Sequence, residues 1–185
     1  PGLGLLPNLV SREVIQIVEI QQPLCENAFG SSPCTASGAA DQKCYNTRGT
    51  CQDNDNFALG TPLSLFFSTG KVAERQVSGA AYIIPSLVSV STSPIKVNLA
   101  GASLDAQGIG NRATCTISFQ DHQHTDRLVD PYVSGRSWNP LSYERGSFWS
   151  RWLVRNKYRQ NVLINVYEGY SGQALSAMVK RSYFL

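Results

Sequence analysis

Short stretches in which apolar and polar residues alternate recur along the whole chain, and this pattern is typical of half-buried β-strands. The stretches are residues 14–20, 62–68, 81–84, 87–90, 95–99, 113–119, 162–167 and 177–185. Turn-forming residues separate them about every eight to twelve positions, as in antiparallel sandwiches and barrels. We therefore predict a mainly β fold, an antiparallel β-barrel or sandwich with one short helix and a long cysteine-rich loop.

The strand at residues 113–119 has the clearest alternation. Cys115, Ile117 and Phe119 occupy one side, and hydroxyl residues occupy the other. A cysteine on the apolar side of a strand behaves as a small hydrophobic residue. We predict that Cys115 is a packing residue and not a ligand.

One segment, residues 143–158, has helical rather than strand periodicity. Phe148, Trp149, Trp152 and Leu153 recur at the spacing of one helix face, and Ser147 precedes them as a plausible N-cap. Such an aromatic stripe can line a ligand pocket, but packing against a sheet is the commoner role. We predict that these side chains pack against the sheet.

The cysteine-rich loop, residues 21–57, contains Cys25, Cys34, Cys44 and Cys51 within 27 residues, separated by eight, nine and six residues. The residues between them are mostly glycine, small or polar, so the loop buries too little apolar area to fix its own conformation. Two disulfides, a structural zinc ion or an iron–sulfur cluster could hold it. No cysteine pair has the spacing of a zinc ribbon or of a familiar ferredoxin, so spacing alone favours disulfides.

Size and charge restrict the class of protein. The chain has 185 residues, 42% of them hydrophobic, which suits a single β-rich module spanning residues 1–185 with the loop at 21–57 inserted in it. The net charge of +3 is too small to indicate specific nucleic-acid binding. Charged residues form only 16% of the chain, against about 25% usually, which suggests a surface covered by partners. We expect no membrane-spanning segment, and we expect the cellular polypeptide to be longer.

A second candidate site lies just after the clearest strand. His122 and His124 are two residues apart, with Asp121 and Asp126 beside them, so the two imidazoles could share a metal in an extended segment. A polar loop that stabilises its own turn is the more common arrangement. Nucleophile elbows, phosphate-binding loops and zinc-protease motifs are absent from the sequence, so we do not expect an enzyme.

Three segments resemble the tail-tip (baseplate) hub proteins of siphophages and gene transfer agents, which include the lambdoid tail protein L family. They are residues 33–53, residues 113–126 with the 129–132 sequence VDPY, and residues 143–170. The resemblance implies a β-barrel-like module of a homotrimeric ring that closes the tail tube. It also implies a [4Fe-4S] cluster whose ligands are Cys25, Cys34, Cys44 and Cys51, with Cys115 left out.

The resemblance has further consequences for compartment and partners. Assembly in reducing host cytoplasm disfavours disulfides, so the iron–sulfur cluster becomes the first expectation, zinc the second and disulfides the third. The expected location is the virion tail tip, and the expected partners are the distal tail ring and the central hub or fibre protein. We expect the cluster to clamp the loop, and residues 121–143 to bridge to a neighbouring subunit or tail protein. The remaining alternatives are a zinc-stapled binding domain and a redox iron–sulfur protein.

Overall fold

The computed structural model describes residues 13–37, 44–73, 77–80, 82–94, 96–97, 110–111, 113–123, 129–135 and 146–185. These residues form nine strands and two α-helices. The strands are β1 (Val14–Gln22), β2 (Leu63–Phe67), β3 (Ile83–Ile84), β4 (Leu87–Ser93), β5 (Lys96–Val97), β6 (Gly110–Asn111), β7 (Thr114–Phe119), β8 (Leu163–Tyr170) and β9 (Val179–Phe184). The helices are α1 (Gly70–Ala73) and α2 (Phe148–Arg155).

The main sheet has five strands in the order β3-β2-β1-β8-β9. β1 lies at its centre and pairs with β2 on one side and β8 on the other, both antiparallel. β9 pairs antiparallel with β8, whereas β3 pairs parallel to β2. The other strands form two antiparallel ribbons, β4 with β7 and β5 with β6. The run of β-branched residues in β1 suits its central place in the sheet, because this strand is buried on both faces.

Each face of the main sheet contributes to a separate apolar core. On the first face, Val18, Phe67 and Val166 pack with α2, and the inward side of β7 joins the same cluster. The second face carries the core formed by Ile15, Ile17, Phe66, Val72, Val77, Ile83, Tyr167, Leu175 and Met178. The first core therefore ties the β4–β7 ribbon and α2 to the sheet.

The aromatic residues of α2 confirm the packing prediction. Phe148 and Trp152 are buried in the first core, and the Trp149 ring lies 4.5 Å from Phe119 and 5.2 Å from Phe67. The prediction is wrong for Leu153, which points to solvent with 45% of its surface exposed. At about 100° of rotation per residue, position 153 lies about 40° beyond the arc that residues 148, 149 and 152 share.

The N-terminus of α2 corrects a second detail of the sequence analysis. Ser147 occupies the N-cap position, but its side chain makes no capping bond to the helix. The cap comes from the end of β7, where the Asp121 carboxylate accepts the Trp149 N–H at 3.0 Å and the His122 carbonyl accepts the Phe148 N–H at 2.8 Å. The Ser147 hydroxyl donates to the same carboxylate. A remote acidic side chain therefore satisfies the free N–H groups of the first turn.

The mainly β fold is confirmed, but two finer features differ from the prediction. The main sheet is mixed and not purely antiparallel, because the turn at α1 lets β3 run alongside β2 in the same direction. No closed barrel is formed by the part of the chain that the structure describes. None of the described helices combines the length and the apolar character that crossing a membrane requires.

Candidate metal centre

The four loop cysteines lie around one small cavity. Cys25, Cys34, Cys44 and Cys51 all line it, although the sequence separates the first from the last by more than twenty residues. Cys44 is buried, and the other three are half-buried. The structure therefore brings together the four residues that the sequence singled out, and it leaves Cys115 elsewhere, on β7.

Main-chain hydrogen bonds position Cys25 immediately after the central strand. An isolated antiparallel bridge pairs it with Leu59, so the two ends of the loop run side by side. The Cys25 N–H donates to the Asn46 carbonyl at 2.6 Å, and the Asn46 side-chain amide donates back to the Cys25 carbonyl at 3.3 Å. Gly60 is required at this crossing, because a Cβ there would lie 2.8 Å from the Cβ of Glu26. Cys25 is thus fixed by main-chain contacts to Leu59 and Asn46, three residues after the end of β1.

The other three cysteines are placed by tight turns. The Cys34 N–H donates to the Ser31 carbonyl at 2.9 Å, which closes a turn. Cys44 and Cys51 flank a single turn of 3-10 helix, Arg48–Thr50. Such turns hold side chains close together without needing a core of their own.

Asp53 fixes the segment that carries Cys34 to the segment that carries Cys51. Its carboxylate accepts the main-chain N–H of Thr35 at 2.6 Å and the Thr35 hydroxyl at 2.9 Å. The Asn56 amide donates to it at 3.0 Å. The N–H of Thr35, with these side-chain donors, holds the pKa of Asp53 below its usual range. Asp53 therefore holds together the two segments that carry Cys34 and Cys51.

The surroundings of Cys51 in the cavity disfavour its thiolate form. Burial raises the pKa of the Cys51 thiol, and the neighbouring Cys25 and Cys34 raise it further. Several thiolates side by side repel one another, so forming them together requires a positive charge between them. A metal ion or an iron–sulfur cluster supplies that charge and releases the thiol protons.

The four thiols are suitable ligands for either a zinc ion or a [4Fe-4S] cluster, and these two candidate centres differ in the space that they need. All five cysteines are free thiols. Among the described residues no three or more His, Cys, Asp or Glu side chains are already arranged as a metal-binding group, so the thiols border the cavity without converging on one point. The cavity volume is about 20 Å³, which is room for one water-sized guest. A single ion would need the thiols to converge on it, and a [4Fe-4S] cluster, which is larger than this volume, would need the walls to move outward.

A tyrosine that the sequence analysis did not single out reaches the cavity from another segment. The Tyr132 hydroxyl accepts the Phe29 N–H at 2.8 Å and donates to the Asn46 side-chain oxygen at 2.9 Å. The Cys44 thiol donates to that same oxygen at 3.6 Å. Tyr132 belongs to the VDPY sequence at 129–132, but nothing in that sequence identifies its partners. These bonds support the cavity wall from behind the thiols.

The second candidate metal site has a different role where the structure describes it. Asp121 caps α2, and the His122 ring stacks on Phe148 with 5.1 Å between ring centres. Burial pushes the pKa of Asp121 up, but hydrogen bonds from Ser147, Trp149 and His122 outweigh it and hold that pKa below its usual value. His124 and Asp126 lie outside the described residues. That residues 121–143 reach a neighbouring protein stays a prediction.

Comparisons with models of protein families, with curated proteins and with solved structures gave no match to this chain.

Proposed function

We propose that this chain is a structural module of the tail tip of a siphophage-like particle, with a thiolate metal centre as the clamp of its cysteine-rich loop. The observation that carries the proposal is that Cys25, Cys34, Cys44 and Cys51 line one cavity. The resemblance to tail-tip hubs supplies the context, namely a homotrimeric ring that closes the tail tube and links it to the receptor-binding hub. The role is one of assembly and not of catalysis.

The energetics of the loop support a clamp. Between the end of β1 and the start of β2, Cys44 and Tyr45 are the only buried apolar side chains among the described residues. Ordering a backbone costs about 1–2 kcal/mol per residue, which so little apolar burial does not offset. Metal binding by a loop that is otherwise unfolded contributes its binding energy to folding. The centre therefore acts as the missing core of the loop.

The identity of the centre follows two different arguments. The resemblance favours [4Fe-4S], and the cavity volume of about 20 Å³ favours a single zinc ion. We place the iron–sulfur cluster first, because three separate segments of the chain carry the resemblance that implies it. The second candidate function, favoured by the cavity size, is a zinc-stapled binding domain. A redox iron–sulfur protein is the third, consistent with three half-buried cysteines.

Metal and sulfide analysis of the protein purified without oxygen tests the centre. Iron and acid-labile sulfide in equal amounts, with broad visible absorbance, are expected for the cluster. Zinc without sulfide would establish the zinc-stapled alternative in its place. A protein that folds with neither iron nor zinc would overturn the metal centre. If the cluster can be reduced reversibly and particle assembly does not change, the result would support a structural role over a redox role.

The assembly role is tested separately from the metal. Particles produced from the native gene cluster should carry this chain at the tail tip, in three copies, as measured by immunogold labelling and native mass spectrometry. Particles that infect normally and contain none of the chain would refute the tail-tip role, whatever metal the purified protein binds.

A further inference from the structure

A second and larger cavity opens on the outer side of the cysteine-rich loop. It has a volume of about 220 Å³ and lies between the loop and the segment that follows α2. We name it the loop–helix groove, and its lining includes Pro23, Arg48, Phe57, Leu59, Asn156 and Tyr158. Small-molecule pockets usually measure about 300–1,000 Å³, so this groove suits one or two side chains of a protein segment better than a whole ligand.

The groove exposes apolar surface that monomeric proteins usually cover. Leu59 is 66% exposed and Tyr158 is 72% exposed, and both line the groove, Leu59 from the segment before β2 and Tyr158 from the segment after α2. Tyrosine is among the residues that most often anchor protein interfaces, because it combines a large rigid ring with a polar tip. An apolar side chain inserted between Leu59 and Tyr158 would cover apolar surface of both residues.

Among the described residues, the charged side chain that lines the groove is a cation, Arg48. The Arg48 guanidinium lies over the Phe57 ring, 4.9 Å from its centre. Lys157 and Arg159 flank Tyr158 in the chain and are exposed. None of the three forms an ion pair with another residue in the described ranges. A partner that brings a carboxylate into the groove would therefore meet Arg48, and Lys157 and Arg159 lie next to Tyr158 in the chain.

The two walls are held together at the base of the groove, so its shape is built into the fold. Gly49 sits so close to the end of α2 that a Cβ there would lie 2.9 Å from the Arg155 carbonyl oxygen and 3.1 Å from the Lys157 nitrogen. The Thr47 hydroxyl donates to the same Arg155 carbonyl at 2.7 Å. Thr47 and Phe57 also line the thiol cavity, so the loop that holds the candidate metal centre forms one wall of the groove.

We propose that the loop–helix groove binds an extended segment of another protein that carries an apolar side chain next to a carboxylate. The apolar side chain inserts between Leu59 and Tyr158, and the carboxylate lies against Arg48. A second copy of this chain is the less suitable occupant, because the chain has a net charge of +3 and would approach a basic groove. The proposal does not depend on the tail-tip role, since it needs only a loop that is held in place.

Synthetic peptide pools test the proposal directly on the protein as purified. Each ten-residue peptide in the first pool has one Leu, Phe or Tyr beside an Asp or Glu in an otherwise Gly/Ser sequence. Matched pools replace the acid with Lys or the apolar residue with Ser. NMR titration should show shifts at Leu59 and Tyr158 with the acidic–apolar pool, and binding should weaken as salt is added.

Variants of the groove separate this site from nonspecific binding. Tyr158→Ala and Arg48→Glu should each weaken peptide binding by about tenfold or more. Tyr82→Ala is the matched control, because Tyr82 is also exposed, at 52%, but lies next to the edge strand β3 and does not line the groove, and it should change nothing. Equal thermal stability of the three variants shows that the fold is kept.

Two results would overturn the proposal. The first is equal binding of the acidic, basic and Ser-substituted pools, or no shift at the groove with any pool. The second is self-association of the wild-type protein, seen by sedimentation, that Tyr158→Ala abolishes, because the occupant would then be a second copy of the chain.

Discussion

The Thr47 hydroxyl donates a 2.7 Å hydrogen bond to the main-chain carbonyl oxygen of Arg155, the last residue of α2. The Arg155 guanidinium in turn lies over the Tyr45 ring, 3.9 Å from its centre. The loop therefore satisfies a carbonyl that a helix end leaves without an intrahelical partner. Both ends of α2 are stabilised by remote segments, the C-terminal end by the cysteine-rich loop and the N-terminal end by Asp121.

Thr47→Val should detach the loop from α2 at little cost in volume. Thr47 is buried, so the substitution leaves the Arg155 carbonyl without its donor, and the free energy of unfolding should fall by about 1–3 kcal/mol. Hydrogen exchange at Tyr45 and Thr50 should accelerate more than at β1. Thr47→Ser is the matched control, because it keeps the hydroxyl. A valine variant as stable as wild type would show that the contact contributes nothing.

Cys34→Ser should lose the metal centre, whereas Cys115→Ala should keep it. Cys34 lines the thiol cavity, and Cys115 packs beside the first core on β7. Metal content per chain should therefore fall in the first variant only. Cys115→Ala should cost packing of order 1 kcal/mol, measured by urea unfolding. Unchanged metal content in Cys34→Ser would remove that cysteine from the centre.

Much of the fold can be predicted from the sequence because its strands are local patterns. β1, β2, β4, β7 and β8 lie where alternation or a β-branched run predicts them. The parallel pairing of β3 with β2 could not be predicted, because it depends on how the chain turns between them and not on their composition. Ser147 illustrates the same limit. It has the residue type and position of a cap, but an acid 26 residues away in sequence makes the bonds.

The candidate site divides in the same way. The four cysteines are recognisable because a loop with no core needs a staple, and the structure places all four at one cavity. The hydrogen bonds that support the cavity wall behind these cysteines cannot be recognised from the sequence. Tyr132 bonds to Asn46 across 86 residues and to Phe29 across 103, and neither spacing leaves any sequence signal. Contacts of this kind depend on the tertiary arrangement, which the pattern of residues in a single sequence does not reveal.

Asp121→Ala should destabilise α2 through its first turn. The carboxylate accepts the Trp149 N–H, and loss of such a cap costs about 0.5–2 kcal/mol. Because the pKa of Asp121 is held below its usual value, its contribution is present above the usual carboxyl pKa and is lost as the pH falls through the lowered one. Unfolding by urea at neutral and at acid pH checks this, and the free energies of unfolding of wild type and Asp121→Ala should converge in acid. Ser147→Ala should cost less, since the N–H bonds to Asp121 remain. A difference that is independent of pH would contradict the charged cap.

Trp152→Ala should destabilise the first core by about 3–5 kcal/mol, because a large buried side chain is removed. The indole N–H also donates to the Gln22 side-chain oxygen at 2.8 Å, which would lose its donor. Leu153→Ala, one residue further along the same helix, is the matched control and should stay within about 0.5 kcal/mol, because Leu153 is exposed. Equal effects of the two substitutions in thermal unfolding would contradict the assignment of the buried face.

Glu19 is a buried acid at the centre of the main sheet, and neutral donors surround its carboxylate. Ser64 donates to it at 2.6 Å, the Asn165 amide at 2.7 Å and the Tyr167 hydroxyl at 2.8 Å. Burial alone would raise the pKa of Glu19, but these hydrogen bonds, with one from Gln21, outweigh burial and lower it. Burial, together with the bond to Glu19 and its charge, raises the pKa of Tyr167 to about 12.

Glu19→Gln should therefore destabilise the protein by about 1.5–3 kcal/mol near neutral pH, because a charged acceptor becomes a neutral group whose amide hydrogens face other donors. The depressed pKa of Glu19 means that its contribution is present above the ordinary carboxyl pKa and is lost as the pH falls through the depressed value. The gap between wild type and variant in urea unfolding should consequently narrow in acid.

The pH dependence of the Tyr167 contribution runs the other way. Because the pKa of Tyr167 is raised, the free energy of unfolding should fall as the pH rises from the ordinary tyrosine pKa to about 12. Ultraviolet titration should show that pKa falling toward its ordinary value in Glu19→Gln. Glu168→Gln, on the exposed Arg181 pair, should change stability little, and an equal effect there would contradict a special role for the buried acid.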